Sequence, residues 1–130
     1  MEKLDIITIN DLMYADILFW NIPQSKYQNI LVMIDTGAKI TTFSDSALKR
    51  LGYSTNNKPI TVRTGGGETT ASEVTIPKIK ICDVELTDVI AHSNGFLDSY
   101  KIDGILGMNV LRQFNFSVDF NENVITFDRR

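Results

Sequence analysis

Five apolar residues in succession, Ile30, Leu31, Val32, Met33 and Ile34, run straight into a carboxylate at Asp35. A run of that length and composition predicts a fully buried strand. Asp35 then sits at the end of that strand. Burying a lone carboxylate there is costly, because the charge loses its water. Thr36 follows with a hydroxyl, and Gly37 removes the side chain that would keep other backbone away. A carboxylate, a hydroxyl and a glycine at the end of a buried strand together make a chemically equipped elbow. Asp35 in an Asx turn with Gly37 is the plain structural alternative.

Three further landmarks follow in order. Thr41 and Thr42 come shortly after the elbow. A glycine-rich stretch, Thr64-Gly65-Gly66-Gly67, lies between two strand-like segments. Near the end stands Asp103-Gly104-Ile105-Leu106-Gly107-Met108-Asn109, two apolar residues and a glycine leading into a short helix. Taken with Asp35-Thr36-Gly37-Ala38, this ordered set resembles the retropepsin-like aspartic proteases, and the second signature is closer to their non-viral branch. The resemblance covers Ile30 to Phe127 as landmarks rather than as residue identity.

The resemblance implies an all-β, retropepsin-like fold of closed β-barrel type, with a flap hairpin and one or two short helices. It makes Asp35 the catalytic carboxylate and Thr36, Gly37 and Ala38 its support. Thr36 would bond across a dimer axis, and Gly37 would let two elbows approach. Thr64, Gly65, Gly66 and Gly67 would form the flap over an extended peptide. Leu106 would pack on the elbow, and Ile105 would line a substrate subsite.

The chemistry implied is hydrolysis without metal, cofactor or covalent intermediate. One ionised carboxylate takes a proton from water while a protonated one polarises the scissile carbonyl. This chain has one Asp-Thr-Gly, so the second carboxylate is expected from a second copy across a two-fold axis. The sequence departs from the retroviral pattern at Lys39, where those enzymes carry an acid, and at Met108, where they carry Arg. The ion pair made there cannot form here. A dimeric peptide-binding or scaffolding module of the same fold, without turnover, is the alternative from a different class.

A chain of 130 residues is expected to form a single domain, residues 1–130, with residues 1–20 as an extension packing on the domain or the dimer interface. A net charge of −3 gives no reason to expect a nucleic-acid partner. No apolar run approaches the roughly 20 residues of a membrane helix, and the N-terminus does not read as a signal peptide. Cys82 is alone, which rules out an internal disulfide and fits the cytoplasm.

Along the chain, Leu4–Ile9 and Met13–Trp20 read as strands around an Asn10-Asp11 turn, and Asn21–Gln28 as a hairpin loop. Ser44 is a candidate N-cap for a short helix carrying Ala47, Leu48 and Leu51, ended by Gly52. Ile60–Arg63, Glu68–Ile76, Ile79–Ile81, Val84–Leu86 and Val89–Ala91 read as strands. Residues 92–101 read as a loop, Met108–Phe114 as a short helix, and Phe116, Val118 and Phe120 as the apolar side of a half-buried strand. His92 is expected at the surface of that loop, away from any metal cluster. Lys78 and Lys80 are expected on a solvated face, and Phe19 and Trp20 in the core or at the dimer interface.

Overall fold

The computed structural model describes residues 2–55, 59–64 and 67–130. Its strands are β1 (Glu2–Asp5), β2 (Ile7–Ile9), β3 (Leu12–Asn21), β4 (Lys26–Ile34), β5 (Thr42–Ser44), β6 (Pro59–Thr64), β7 (Gly67–Ile81), β8 (Val84–Asn94), β9 (Gly104–Leu106), β10 (Phe114–Asp119) and β11 (Val124–Arg129). Two short helices, α1 (Asp45–Arg50) and α2 (Met108–Leu111), and a 3-10 turn at Gly95–Tyr100 complete the described chain. The protein is all-β, as the sequence reading has it.

The strands form two sheets. One runs β1-β11-β10; the other runs β2-β3-β4-β9-β5-β8-β7-β6. A short extra ladder, Leu18↔Lys80 and Phe19↔Ile79, pairs β7 back onto β3. The pairing β3-β4-β9-β5-β8-β7 therefore returns on itself and encloses the core. Phe19, Phe43 and Tyr53 meet edge to face inside it, with ring centroids 4.7 and 5.4 Å from Phe19. The Tyr53 hydroxyl donates to the Trp20 carbonyl at 2.7 Å. Burial of the phenol pushes its pKa up to about 12.

Several local expectations correspond to observed elements. Asn10 and Asp11 both have positive φ, the two-residue turn that matches strand twist in a hairpin. Ser44 caps α1, accepting from the Ala47 backbone N–H through its hydroxyl at 3.1 Å. Gly52, at φ +93°, follows the helix.

Other expectations need correction. The run Ile30–Ile34 is not buried on both faces: Ile30, Val32 and Ile34 are in the core, while Leu31 and Met33 are half-exposed on the opposite face of β4. Lys26–Gln28 belong to β4, not to the preceding loop. Leu4–Ile9 is two strands in different sheets, with Ile6 buried between them. β7 runs through Pro77 without a break. The ladder skips Pro77 opposite Asp88, whose φ is +52°, so the missing N–H is not called upon. Phe114 begins β10 rather than ending α2, and Phe120 lies past the strand end, 65% exposed. Lys78 and Lys80 are half-buried: their ammonium groups lie 4.4 Å from the Trp20 ring centroid and 5.8 Å from that of Tyr27.

Candidate active site

Asp35 is delivered by a parallel pairing. β4 lies beside β9 in the register Val32↔Gly104, Met33↔Ile105 and Ile34↔Leu106. The ladder continues one residue further, with the Asp35 N–H donating to the Leu106 carbonyl at 3.1 Å. The chain then turns sharply. The Ala38 N–H donates to the Asp35 carbonyl at 3.2 Å, and the Gly37 N–H donates to the Asp35 side-chain Oδ1 at 2.8 Å. A Cβ on Gly37 would sit 3.1 Å from that same oxygen, so a larger residue would push the carboxylate aside. Asp35 is half-buried, while Thr36 and Gly37 are exposed at the tip of the elbow. The carboxylate is thus held through Oδ1 by the backbone of its own loop.

Besides the Asp35–Leu106 bond, five hydrogen bonds fasten the elbow and the residues after it to the second signature. The Met108 N–H donates to the Ala38 carbonyl at 2.8 Å, and the Asn109 N–H to the Lys39 carbonyl at 3.2 Å. Asn109 Oδ1 accepts from both the backbone N–H and the hydroxyl of Thr41, each at 2.8 Å. The Gly107 N–H donates to Thr41 Oγ1 at 3.0 Å. The other end of the Asn109 amide donates to the Ile90 carbonyl at 2.7 Å. This packing requires glycine at 107, where a Cβ would meet three backbone atoms at 2.9 to 3.0 Å. The sequence signal for this clip was a threonine and an asparagine inside two landmarks; their separation of 68 residues left no local pattern to connect them.

Asp103 does a different job. Its two carboxylate oxygens accept from the Leu31 N–H at 3.1 Å and from Arg50 at 3.2 Å, fixing β9 to β4 and α1. Its carboxylate has no part in the groove.

Asp35 opens onto a groove of about 980 Å³. The elbow contributes Asp35, Gly37, Ala38, Lys39 and Ile40 to its lining, and the β6–β7 hairpin contributes Thr61, Val62, Arg63 and Ala71. Thr42, His92, Asn94, Leu97 and Ile105 complete the wall. Ile105 therefore lines the same groove as Asp35, while Leu106 is fully buried and accepts from the Asp35 N–H. Thr64 and Gly67 face each other at the end of the β6–β7 ladder. Gly65 and Gly66 lie outside the described residues.

His92 is not a surface loop residue. It belongs to β8, pairs in parallel with Thr42 of β5, and faces Glu73 across the β7–β8 ladder. Burial lowers its pKa from the usual 6.5, with the Glu73 charge acting in the opposite direction. Among the described residues no group of three or more His, Cys, Asp and Glu is placed to hold a metal ion, and no helix is long and apolar enough to cross a membrane.

Residues 25–113 match the model of the family described as "gag-polyprotein putative aspartyl protease". Comparison with curated proteins gives no match. Among solved structures, a retropepsin-like aspartic protease from Rickettsia conorii is similar with a TM-score of 0.67 at 23% identity, over 96% of this chain and 89% of that one. The retroviral protease-like domain of Ddi1 from Leishmania major is similar with a TM-score of 0.61 at 15% identity, over 94% and 90%. These similarities in structure establish the shared fold. The family match spans the elbow, the groove and the second signature, and the chain belongs to the retropepsin-like aspartic protease family.

Proposed function

We propose that this protein is an aspartic endopeptidase that cleaves extended peptides as a homodimer, with Asp35 from each chain in one shared site. The observation that carries the reading is the placement of Asp35. Its carboxylate is held by the Gly37 N–H and lines a groove of about 980 Å³, and it is the only carboxylate among the described lining residues. Thr36 and Gly37, exposed in the single chain, are the surface through which two elbows would meet. The β6–β7 hairpin, including Thr64 and Gly67, acts as the flap, and Gly65 and Gly66 are assigned to its tip by the sequence alone. Ile105 lines a side-chain subsite. The lone thiol of Cys82 fits the reducing cytoplasm, the compartment this reading assigns.

In this mechanism two Asp35 carboxyls share one proton, because like charges held close cannot both ionise. The ionised member takes a proton from water as the water oxygen bonds to the scissile carbonyl carbon. The protonated member gives its proton to the carbonyl oxygen. The tetrahedral species then breaks its C–N bond, a proton passes to the nitrogen, and the products are a carboxylic acid and an amine.

The test is Asp35→Asn, nearly isosteric but unable to share the proton. Turnover of a mixed peptide library, followed by mass spectrometry, should vanish while the thermal melt and the oligomeric state stay the same. Retained turnover would remove Asp35 from the chemistry. A wild-type dimer that binds peptides and never cleaves them would establish the binding-module alternative.

A further inference from the structure

We infer that Lys39 makes the groove selective for peptides carrying an acidic side chain close to the scissile bond. This rests on the groove being a peptide site and adds to it the chemical class of the peptide. Besides Asp35, which the proposed chemistry occupies, the charged or titratable side chains in the described lining are Lys39, Arg63 and His92. Arg63 is already paired with Glu68 at 3.2 Å. His92 is shifted by burial toward its neutral form. Lys39 alone is a full positive charge without an ion-pair partner among the described residues. Its backbone is fixed, because its carbonyl accepts from Asn109 and both neighbouring segments are tied to α2 and Gly107. Its side chain is exposed on the elbow itself, four residues from Asp35. Apart from Asp35, no described acidic residue lines the groove, and Met108 stands at the head of the helix that packs against the elbow.

An extended peptide advances about 3.3 Å per residue, and a lysine side chain spans roughly two such steps. A carboxylate one to three residues from the scissile bond is therefore within reach of the ammonium. Two-fold symmetry would place a second Lys39 toward the other end of the peptide, so an acid on either side would be favoured. Exposed ion pairs are weak, and the preference should be about 1.5- to 5-fold in kcat/KM at low salt. It should shrink as ionic strength rises.

The experiment uses peptide pairs with an apolar residue on each side of the scissile bond and either Glu or Gln at each of the three flanking positions on both sides. The wild type, Lys39→Ala and Lys39→Glu are compared by the Glu-to-Gln ratio of kcat/KM. The wild type should prefer Glu at one or more positions, Lys39→Ala should bring the ratio to about one, and Lys39→Glu should invert it. Cleavage of both peptides with the same ratio in all three proteins would overturn the Lys39 assignment and leave the protease reading standing. Absence of any cleavage would count against the protease reading instead. The same peptide pairs, measured by fluorescence anisotropy, then decide Lys39: a Glu preference lost in Lys39→Ala supports it, and equal Kd values overturn it.

Discussion

Replacing Asn109 with alanine tests whether the clip between the two signatures holds the elbow. The amide makes three hydrogen bonds: two accepted from Thr41 at 2.8 Å and one donated to Ile90 at 2.7 Å. Thr41 is 0% exposed, so water cannot replace what the amide gives it. The substitution strands a buried N–H and a buried hydroxyl proton, each worth about 1–3 kcal/mol. The expected loss is therefore about 2–6 kcal/mol, a large share of the roughly 5–15 kcal/mol that stabilises a domain. At about 3–5 °C per kcal/mol for a chain of this size, Tm should fall by roughly 6–30 °C. Thr41→Val removes the hydroxyl but keeps the Thr41 N–H bond, and it strands the Gly107 N–H, costing about 1–3 kcal/mol. The two changes share one network, so the double variant should lose less than the sum, by about 1–2 kcal/mol. Denaturant melts of the four proteins give the cycle, and peptide turnover below the melting range should fall mainly in kcat if the clip positions Asp35. An Asn109→Ala variant within about 0.5 kcal/mol of wild type, or strictly additive losses, would refute the clip.

Two other changes probe neighbouring features. Gly107→Ala drives a Cβ to within 2.9 Å of the Ala38 carbonyl oxygen and of the Ile40 carbonyl carbon, and backbone cannot swing aside as a side chain can. Destabilisation of about 1–3 kcal/mol is expected in a thermal or denaturant melt. His92 is shifted below its unfolded pKa of 6.5, so the unfolded chain binds the proton more readily. Its contribution to stability is present above about pH 6.5 and is lost as pH falls through the lower folded value. His92→Gln should therefore show a smaller drop in Tm than wild type between about pH 7.5 and 5.5, and equal drops would contradict this.

Much of the fold was legible because its signals are local. The Ile30–Ile34 run, the Ser44 cap, the Asn10-Asp11 turn and the short helix after Gly107 each follow from adjacent residues. The elbow was legible through a resemblance whose landmarks come in order along the chain. What escaped depends on pairings far apart in sequence. The polar composition of residues 92–101 hides the last turns of β8, which are strand only because β5 and β7 lie on either side. That concealed the entry of His92 into the groove wall. The apolar run reads as buried on both faces because composition does not reveal that one face of β4 is only partly covered. The sequence reads as two strands, Glu68–Ile76 and Ile79–Ile81, and the structure carries β7 through Pro77 between them because Asp88 opposite it is out of the ladder.

In the proposed dimer each active site needs one Asp35 from each of two chains. The most direct measurement mixes wild type at fixed concentration with increasing Asp35→Asn, allows subunit exchange, and follows peptide turnover alongside sedimentation. If sites are shared, random pairing leaves a wild-type chain facing another wild-type chain only in proportion to their share. A roughly ninefold excess of the variant should then reduce turnover to about one tenth, with the dimer population unchanged or higher. Turnover that stays constant across the mixture, with exchange shown to be complete, would mean that one chain holds a whole site and would contradict the account.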